Sequence, residues 1–209
     1  MREKLLELIR RDALTFGDFK MASGKTSNVM LDLSKAFRSE EAQQLIAHCV
    51  KDVLPKDIIV GGPVSGSDLV CSAIARAGLT NKWFGVRKEP KGRGYDVETI
   101  TGNLEKNDEV WMVEDVCTSG GTLLRACKEV LKFGATIEGI FAVVDRGGLK
   151  SVAKEFNVLY AFIFDLEEII NEEKMEVFPS VPNSIGSIRV DSAEGASRYF
   201  EERFEKFKT

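Results

Sequence analysis

Residues 110–122 read VWMVEDVCTSGGT and decide the fold class. The stretch begins with four apolar residues, which are typical of a buried strand, and two acidic residues, Glu114 and Asp115, follow directly. The small residues of Cys117–Thr122 then open a stretch with helical periodicity that continues to Phe133. A strand, a small-residue turn and a helix in this order are typical of one unit of a parallel α/β sheet.

The same alternation continues on both sides of this unit. Strands are predicted at Asp57–Val60, Trp83–Arg87, Glu109–Val113, Ile137–Val144 and Asn157–Phe164, and helices at residues 1–14, Ser67–Ala77, Thr122–Phe133, from Leu166 to about Met175, and near Ala193–Phe207. We therefore expect an α/β fold with a central, mostly parallel sheet flanked by helices. Ligands bind at the carboxyl ends of such strands, which here lead into Gly61–Ser67, Glu114–Thr122 and Asp145–Gly148.

Composition limits the classes of function. The chain has 209 residues, 44% of them hydrophobic, and a net charge of −4 without a basic tract, so we expect one packed domain and no nucleic-acid partner. Its longest apolar stretches, such as Ile140–Val144, are far below the roughly 18 residues of a membrane span, so no membrane partner is expected.

The four cysteines show no CxxC spacing, and His48 is the single histidine. A structural zinc site is therefore not expected, and the dispersed thiols favour a reducing cytoplasm.

The turn after the acidic pair has the chemistry of an anion site. Small residues let backbone N–H groups converge, and a helix N-terminus adds partial positive charge, which together suit a phosphate. Glu114 and Asp115 would repel that anion, so they would face ribose hydroxyls or a divalent cation. The pattern is neither a P-loop nor a dinucleotide fingerprint, and an ordinary tight turn beside an acidic pair is the alternative explanation.

Four segments carry a family resemblance. VEDVCTSGGT (113–122) resembles the 5-phosphoribosyl-1-pyrophosphate (PRPP) binding motif of type I phosphoribosyltransferases. FKMASGKTSNVMLD (19–32), FGVRKEPKGRG (84–94) and VVDRG (143–147) resemble the N-terminal segment, the catalytic loop and the "DR" motif of orotate phosphoribosyltransferases, in the same order. The resemblance implies a type I phosphoribosyltransferase domain over residues 1–170, with a small N-terminal hood mainly at 1–36. We expect residues 171–209 to be a C-terminal extension packed on, or continuing, that domain.

The resemblance also implies an activity and its participants. Members transfer phosphoribose from PRPP to orotate and release pyrophosphate, in de novo pyrimidine synthesis. It implies Mg²⁺ held mainly by the PRPP pyrophosphate, with no firm protein ligand, and a cytoplasmic homodimer with shared active sites.

Roles carry over by position in the motifs. The residues expected to bind PRPP are Arg87, Lys88, Glu114, Asp115, Cys117, Thr118, Ser119, Gly120, Gly121 and Thr122, with Gly61–Ser67 as the loop on the pyrophosphate side. Those expected to bind orotate are Lys25, Met30, Thr118 and Arg146, and the expected catalytic residues are Lys91, Arg93 and Asp115. Lys91 would reach the pyrophosphate, and the planar guanidinium of Arg146 would pair with the orotate carboxylate.

The chain departs from the family pattern at three positions. Arg93 replaces a histidine, Met30 replaces an aromatic residue, and Ala22 stands where some members carry a lysine. In addition, Asp68 adds a negative charge near the pyrophosphate loop. Two alternatives therefore stay open: a type I phosphoribosyltransferase for another base, and a PRPP-sensing homologue without catalysis. Arg146 discriminates between bases, because purines lack the carboxylate that it would bind.

Overall fold

The computed structural model describes residues 1–20, 24, 26–90 and 99–170, and its strands form two separate sheets. The smaller sheet is an antiparallel hairpin of β1 (Leu14–Lys20) and β2 (Thr26–Leu31). The larger has the order β5-β4-β3-β6-β7-β8, with β3 at Ile59–Pro63, β4 at Trp83–Val86, β5 at Ile100–Gly102, β6 at Glu109–Cys117, β7 at Thr136–Asp145 and β8 at Leu159–Asp165. Its neighbouring strands are parallel except β4 and β5, so the predicted mostly parallel sheet is confirmed.

Helices cover both faces of the central sheet. The helices are α1 (Arg2–Asp12), α2 (Leu33–Phe37), α3 (Glu40–Val50), α4 (Gly66–Arg76), α5 (Gly121–Phe133), α6 (Leu149–Phe156) and α7 (Leu166–Ile170). One apolar core joins the first four helices and α7 to one face of the sheet, and a second core joins α5 and α6 to the other. Side chains alternate along β6: Trp111 and Val113 enter the first core, whereas Val110 and Met112 enter the second.

Helix α5 shows how the sequence sets an element and its ends. Its buried residues, Leu123, Ala126, Cys127 and Val130, follow the spacing of one helical face. The helix follows Gly120 and precedes Gly134, and both glycines have positive φ angles, 75° and 104°. Because side chains disfavour that conformation, the two glycines fix where the helix begins and ends.

The order of the strands locates the crevice of the sheet. From β3 the chain crosses through α4 to β4, whereas from β6 it crosses through α5 to β7 on the opposite side. Adjacent parallel strands whose connections diverge leave a crevice at their carboxyl ends, where ligands of such folds bind. The carboxyl ends of β3 and β6 are therefore the expected place for a site.

The structure differs from the sequence predictions in several elements. Strand β6 continues to Cys117, so the acidic pair lies within the strand and not in the loop after it. The hairpin strands, α2 and β5 were not predicted as elements; β5 has only three residues. Helix α7 is described to Ile170, and the rest of that prediction, the helix near residues 193–207 and the extension at 171–209 lie outside the described residues.

The expected hood shares its core with the rest of the chain. Leu5, Leu6 and Ile9 of α1 belong to the same apolar cluster as residues of α3 and α4. Within the part of the chain that the structure describes, no helix combines the length and the hydrophobicity needed to cross a bilayer.

Candidate active site

The turn between β6 and α5 leaves hydrogen-bond donors open to solvent. Thr118, Ser119, Gly121 and Thr122 are exposed, and no side chain caps the N-terminus of α5. The N–H groups of a first helical turn have no partner within the helix, so an anion at this turn could accept their hydrogen bonds. These are the donors that the predicted phosphate cradle would use, and phosphate binding at this turn stays a prediction.

Cys117 contributes to this cradle only through its backbone. Its side chain is fully buried in the core, and burial raises the pKa of the thiol to about 12. The thiol is therefore neutral and faces away from solvent.

A second loop, between β7 and α6, supports the turn from the side. The backbone N–H of Arg146 donates to the Cys117 carbonyl at 2.8 Å. A Cβ built on Gly148 would lie 2.7 Å from both the Gly120 nitrogen and the Thr118 oxygen, so no side chain fits between the loops. This close approach explains the glycine and places Arg146 beside the cradle.

Asp145 holds that second loop in shape. Its Oδ1 accepts hydrogen bonds from the backbone N–H groups of Gly147, Gly148 and Leu149 at 2.9–3.1 Å. Arg146 follows directly, and its buried Nε has no hydrogen-bond partner among the described residues. A buried guanidinium nitrogen without a partner is costly, so the arrangement suits an incoming anionic acceptor.

The acidic pair lies on opposite faces of the sheet edge, since successive strand residues alternate in direction. Asp115 faces α4, where a Cβ on Gly66 would lie 2.5 Å from its Oδ1. Glu114 faces α5, which carries Cys127. Burial raises the pKa of the Cys127 thiol to about 12, and the nearby charge of Glu114 adds to that shift. The two carboxylates therefore border the crevice from two sides.

Both carboxylates are partly desolvated. Burial raises the pKa of Glu114 to about 8, with a further contribution from the Asp115 charge. Burial also raises the pKa of Asp115, and the charge of Asp32 adds to that shift. Ribose hydroxyls or a cation, both of which favour the ionised form, would relieve this cost. The influence of Asp32 also places the end of the N-terminal motif near the site.

Glu114 should make folding stability fall as the pH rises. Between its ordinary pKa of 4.5 and the folded value of about 8, the folded chain keeps a proton that the unfolded chain has lost, so stability decreases across this window. Glu114→Gln should therefore raise the melting temperature at pH 9 by about 3–8 °C and leave it nearly unchanged at pH 5, a gain of roughly 1–3 kcal/mol after allowance for partial exposure.

Circular dichroism melts of the ligand-free chain between pH 5 and 9 measure this difference. Glu155→Gln is the matched control, because Glu155 is exposed and makes only a 3.9 Å ion pair with Lys128. If the melting temperatures of Glu114→Gln and the unaltered chain differ equally at every pH, Glu114 does not titrate in this window.

The glycines at the end of β3 have a packing role beside the one predicted. Gly61 and Gly62 were expected to let the backbone approach pyrophosphate, which stays a prediction, and both lie within β3. A Cβ on Gly61 would contact the Phe84 ring, and one on Gly62 would overlap the Val113 carbonyl. The two glycines are therefore required by strand and ring packing. The exposed approach to α4 is at Val64 and Ser65, which are joined by a cis peptide bond.

The remaining predicted site residues are distributed around this edge. Arg87 follows β4 and its backbone N–H donates to the Thr99 carbonyl at 2.8 Å, and Lys88 is exposed beside it. Met30 lies on β2, paired with Thr15, and is 37% exposed. Lys25, Lys91 and Arg93 lie outside the described residues, and His48 is exposed on α3.

Sequence reasoning missed two supporting residues of the site. Gly66 makes room for the Asp115 carboxylate, and Asp145 holds the loop that carries Arg146. A signal existed for Asp145, because an aspartate a few residues before a helix is a frequent capping residue, and Asp145 lies four residues before Leu149. None existed for Gly66, whose neighbour is 49 positions away in the sequence.

Comparisons with known proteins identify the family. An orotate phosphoribosyltransferase of Aquifex aeolicus is 37% identical over 180 residues, covering 81% of this chain and 97% of the relative. The chain belongs to the orotate phosphoribosyltransferase family. A family member from Pyrococcus furiosus is 35% identical over 170 residues, covering 78% of this chain and 92% of the relative. No protein-family model matches the chain.

A solved structure supports the same assignment. The orotate phosphoribosyltransferase of Mycobacterium tuberculosis H37Rv, in complex with PRPP, superposes with a TM-score of 0.67 at 28% identity. The match covers 80% of this chain and 98% of that structure. The predicted type I phosphoribosyltransferase fold is thereby confirmed.

Proposed function

We propose that this chain transfers phosphoribose from PRPP to orotate, giving orotidine monophosphate and pyrophosphate. Membership of the orotate phosphoribosyltransferase family supports this proposal. The structural observation that carries it is the buried Nε of Arg146, which has no partner among the described residues and lies beside the start of α5 because the Arg146 backbone N–H donates to the Cys117 carbonyl. A base that bears a carboxylate and a sugar that bears a phosphate would meet at this point.

Different residues of the site bind different parts of PRPP and orotate. The turn of Thr118–Thr122 binds the ribose phosphate, and Glu114 and Asp115 accept hydrogen bonds from the ribose hydroxyls. Arg146 fixes orotate through its carboxylate, so that the ring nitrogen faces the anomeric carbon. The bond from that carbon to the pyrophosphate oxygen breaks, and the bond to the ring nitrogen forms.

The departing pyrophosphate requires positive charge. Arg87 and Lys88 supply it from the end of β4, and Lys91 is assigned to the same anion. Arg93 keeps a positive charge at the position of the family histidine, but its guanidinium does not release a proton near neutral pH. Any proton released by the ring nitrogen therefore leaves by another route.

Magnesium is proposed as the metal that accompanies PRPP. Among the described residues, no group of three or more His, Cys, Asp or Glu side chains could hold a metal ion by itself. The pyrophosphate would therefore supply most of the oxygen ligands that a hard cation prefers, while Asp115 and Glu114 present carboxylate oxygens at the crevice. The metal would neutralise the charge that develops on the leaving group.

A base panel tests the proposal. Orotate, uracil and a purine base are each mixed with the chain, PRPP and Mg²⁺, and the release of pyrophosphate is followed in every mixture. We expect rapid release with orotate, slow turnover with uracil and none with the purine. Turnover with the purine alone would assign another base, and calorimetric PRPP binding without any turnover would assign a sensing role.

We also propose a homodimer in which each protomer contributes to the partner's site. The family resemblance motivates this proposal, with Lys91 as the residue that reaches across. Mixing inactive Lys91→Ala and Asp115→Asn chains should then restore about a quarter of the original activity, because half of the dimers are mixed and each has one intact site. Sedimentation measurements establish the dimer independently. If each site used its own Lys91, the mixture would stay inactive.

The cytoplasm is the proposed location. All four cysteines of the chain are free, and all are buried. Unpaired thiols are typical of a reducing compartment.

A further inference from the structure

Helix α5 holds a short segment that carries two site cations. Arg125 donates through Nη1 to the carbonyl of Arg87 at 3.1 Å and more weakly to that of Lys88 at 3.5 Å. One turn further, Glu129 accepts a hydrogen bond from the Thr99 hydroxyl at 2.8 Å. The Thr99 carbonyl in turn accepts from the Arg87 N–H at 2.8 Å. Residues 87–88 are therefore held from both sides.

The two side chains lie on one face of the helix. Arg125 and Glu129 are four residues apart, which places them on neighbouring turns. Both are partly buried, so water competes less for their hydrogen bonds than at an exposed site. Their contacts go to residues 30–38 positions away in the sequence, so they are tertiary links and not helix-surface pairs.

The same helix begins at the phosphate cradle. Arg125 lies four residues after Gly121, or about 6 Å along the helix axis at 1.5 Å per residue. The hydrogen-bonded backbone of α5 thus joins the cradle to the segment that carries Arg87 and Lys88. A change in the Arg125 contact would move these two cations relative to the bound phosphate.

We propose that Arg125 and Glu129 are positioning residues for PRPP, which set the distance between the cations at 87–88 and the phosphate cradle. The inference rests on the proposed function, because it concerns the same substrate. Neither side chain needs to touch PRPP. Their effect passes through the backbone of Arg87 and Lys88, and it does not reach the orotate side, where Arg146 is held by another loop.

Arg125→Met tests this directly, because it removes the donors and the charge at similar side-chain volume. We expect the KM for PRPP to rise about tenfold, because one side-chain hydrogen bond is lost. The KM for orotate should stay unchanged within about twofold. Arg125→Lys keeps a cation and one donor and should recover part of the loss. Lys128→Met on the same helix is the matched control, since Lys128 is exposed and its one ion pair among the described residues is with Glu155.

The hydrogen bond from Thr99 to Glu129 is tested by separate variants. Thr99→Val deletes one hydroxyl, and Glu129→Ala deletes its acceptor; each should raise the KM for PRPP about threefold to fivefold. The double variant should be no worse than the single ones, because both remove the same bond. Glu129→Gln retains an acceptor oxygen and should behave nearly as the unaltered chain. Thr99→Val also carries the test if Arg125→Met does not fold.

The outcomes separate this inference from the proposed function. If the unaltered chain does not convert orotate, the proposed function fails. If it does, and Arg125→Met and Thr99→Val lower only the melting temperature while both KM values stay unchanged, the two residues are structural and the inference is wrong. An equal rise in the KM for PRPP and for orotate would also contradict it, since positioning through 87–88 acts on one substrate.

Discussion

Asp115→Asn should weaken PRPP binding by about 30- to 100-fold, which corresponds to roughly 2–3 kcal/mol for a hydrogen bond to a charged acceptor. The ribose hydroxyls donate hydrogen bonds, and the asparagine amide offers one neutral acceptor and a competing donor. In the part of the chain that the structure describes, Asp115 Oδ1 accepts a hydrogen bond from the neighbouring Val116 N–H at 2.8 Å, which an asparagine oxygen can also accept, so the folded state loses little.

Stability should move in the opposite direction from affinity. Burial raises the pKa of Asp115, which means that its carboxylate is held in the fold at a cost. Asp115→Asn removes that cost, so the melting temperature should stay unchanged or rise slightly. A residue that served only the fold would lose stability instead.

Calorimetric titration with PRPP and Mg²⁺ measures the affinity, and circular dichroism measures the melting temperature. Asp52→Asn is the control for net charge, because Asp52 is exposed after α3. A PRPP affinity within about threefold of the unaltered chain would contradict the assignment of Asp115 to the ribose, on the magnitude expected for a charged hydrogen bond.

Arg146→Gln should raise the KM for orotate by about 100-fold and leave the affinity for PRPP alone nearly unchanged. A bidentate guanidinium–carboxylate pair in a partly desolvated site contributes roughly 2–3 kcal/mol, and glutamine replaces it with one neutral donor. The loop itself should persist, because its shape depends on the bonds from Gly147, Gly148 and Leu149 to Asp145.

Uracil provides the internal comparison for Arg146. It lacks the carboxylate, so its slow turnover should change less than about threefold in Arg146→Gln, because no charged pair is lost. Arg76→Gln, at the exposed end of α4, is the control for the loss of one arginine. Equal losses with orotate and uracil would show that Arg146 acts on something other than the carboxylate.

Local sequence predicted the elements around the acidic pair but not the directions in which its two side chains point. The stretch 110–122 predicted a strand, a turn and a helix, because apolar runs and small residues act locally. It did not predict that Glu114 and Asp115 face different helices, since the strand was expected to end at Val113 and in fact continues to Cys117. Alternation of side chains becomes informative only once the end of the strand is known.

The role of the glycines shows the same division. Gly120 could be read locally in part, because its positive φ favours glycine, although a Cβ there would also overlap the Val152 side chain of α6. Gly61 and Gly62 could not, because their space is occupied by Phe84 and by the Val113 carbonyl from neighbouring strands. Sequence reasoning connected these glycines only with the ligand, whereas their need for space within the sheet became evident from the structure.

By itself the sequence determined the α/β class, the alternation of strands and helices, and the four motifs that indicated the family, because each depends on residues adjacent in the chain. The tertiary structure alone decided that Arg146 lies beside the cradle with an unpartnered nitrogen, and that Arg125 holds the backbone of Arg87. Such contacts join residues on different strands and helices. They depend on strand order and helix packing, which local propensity does not encode.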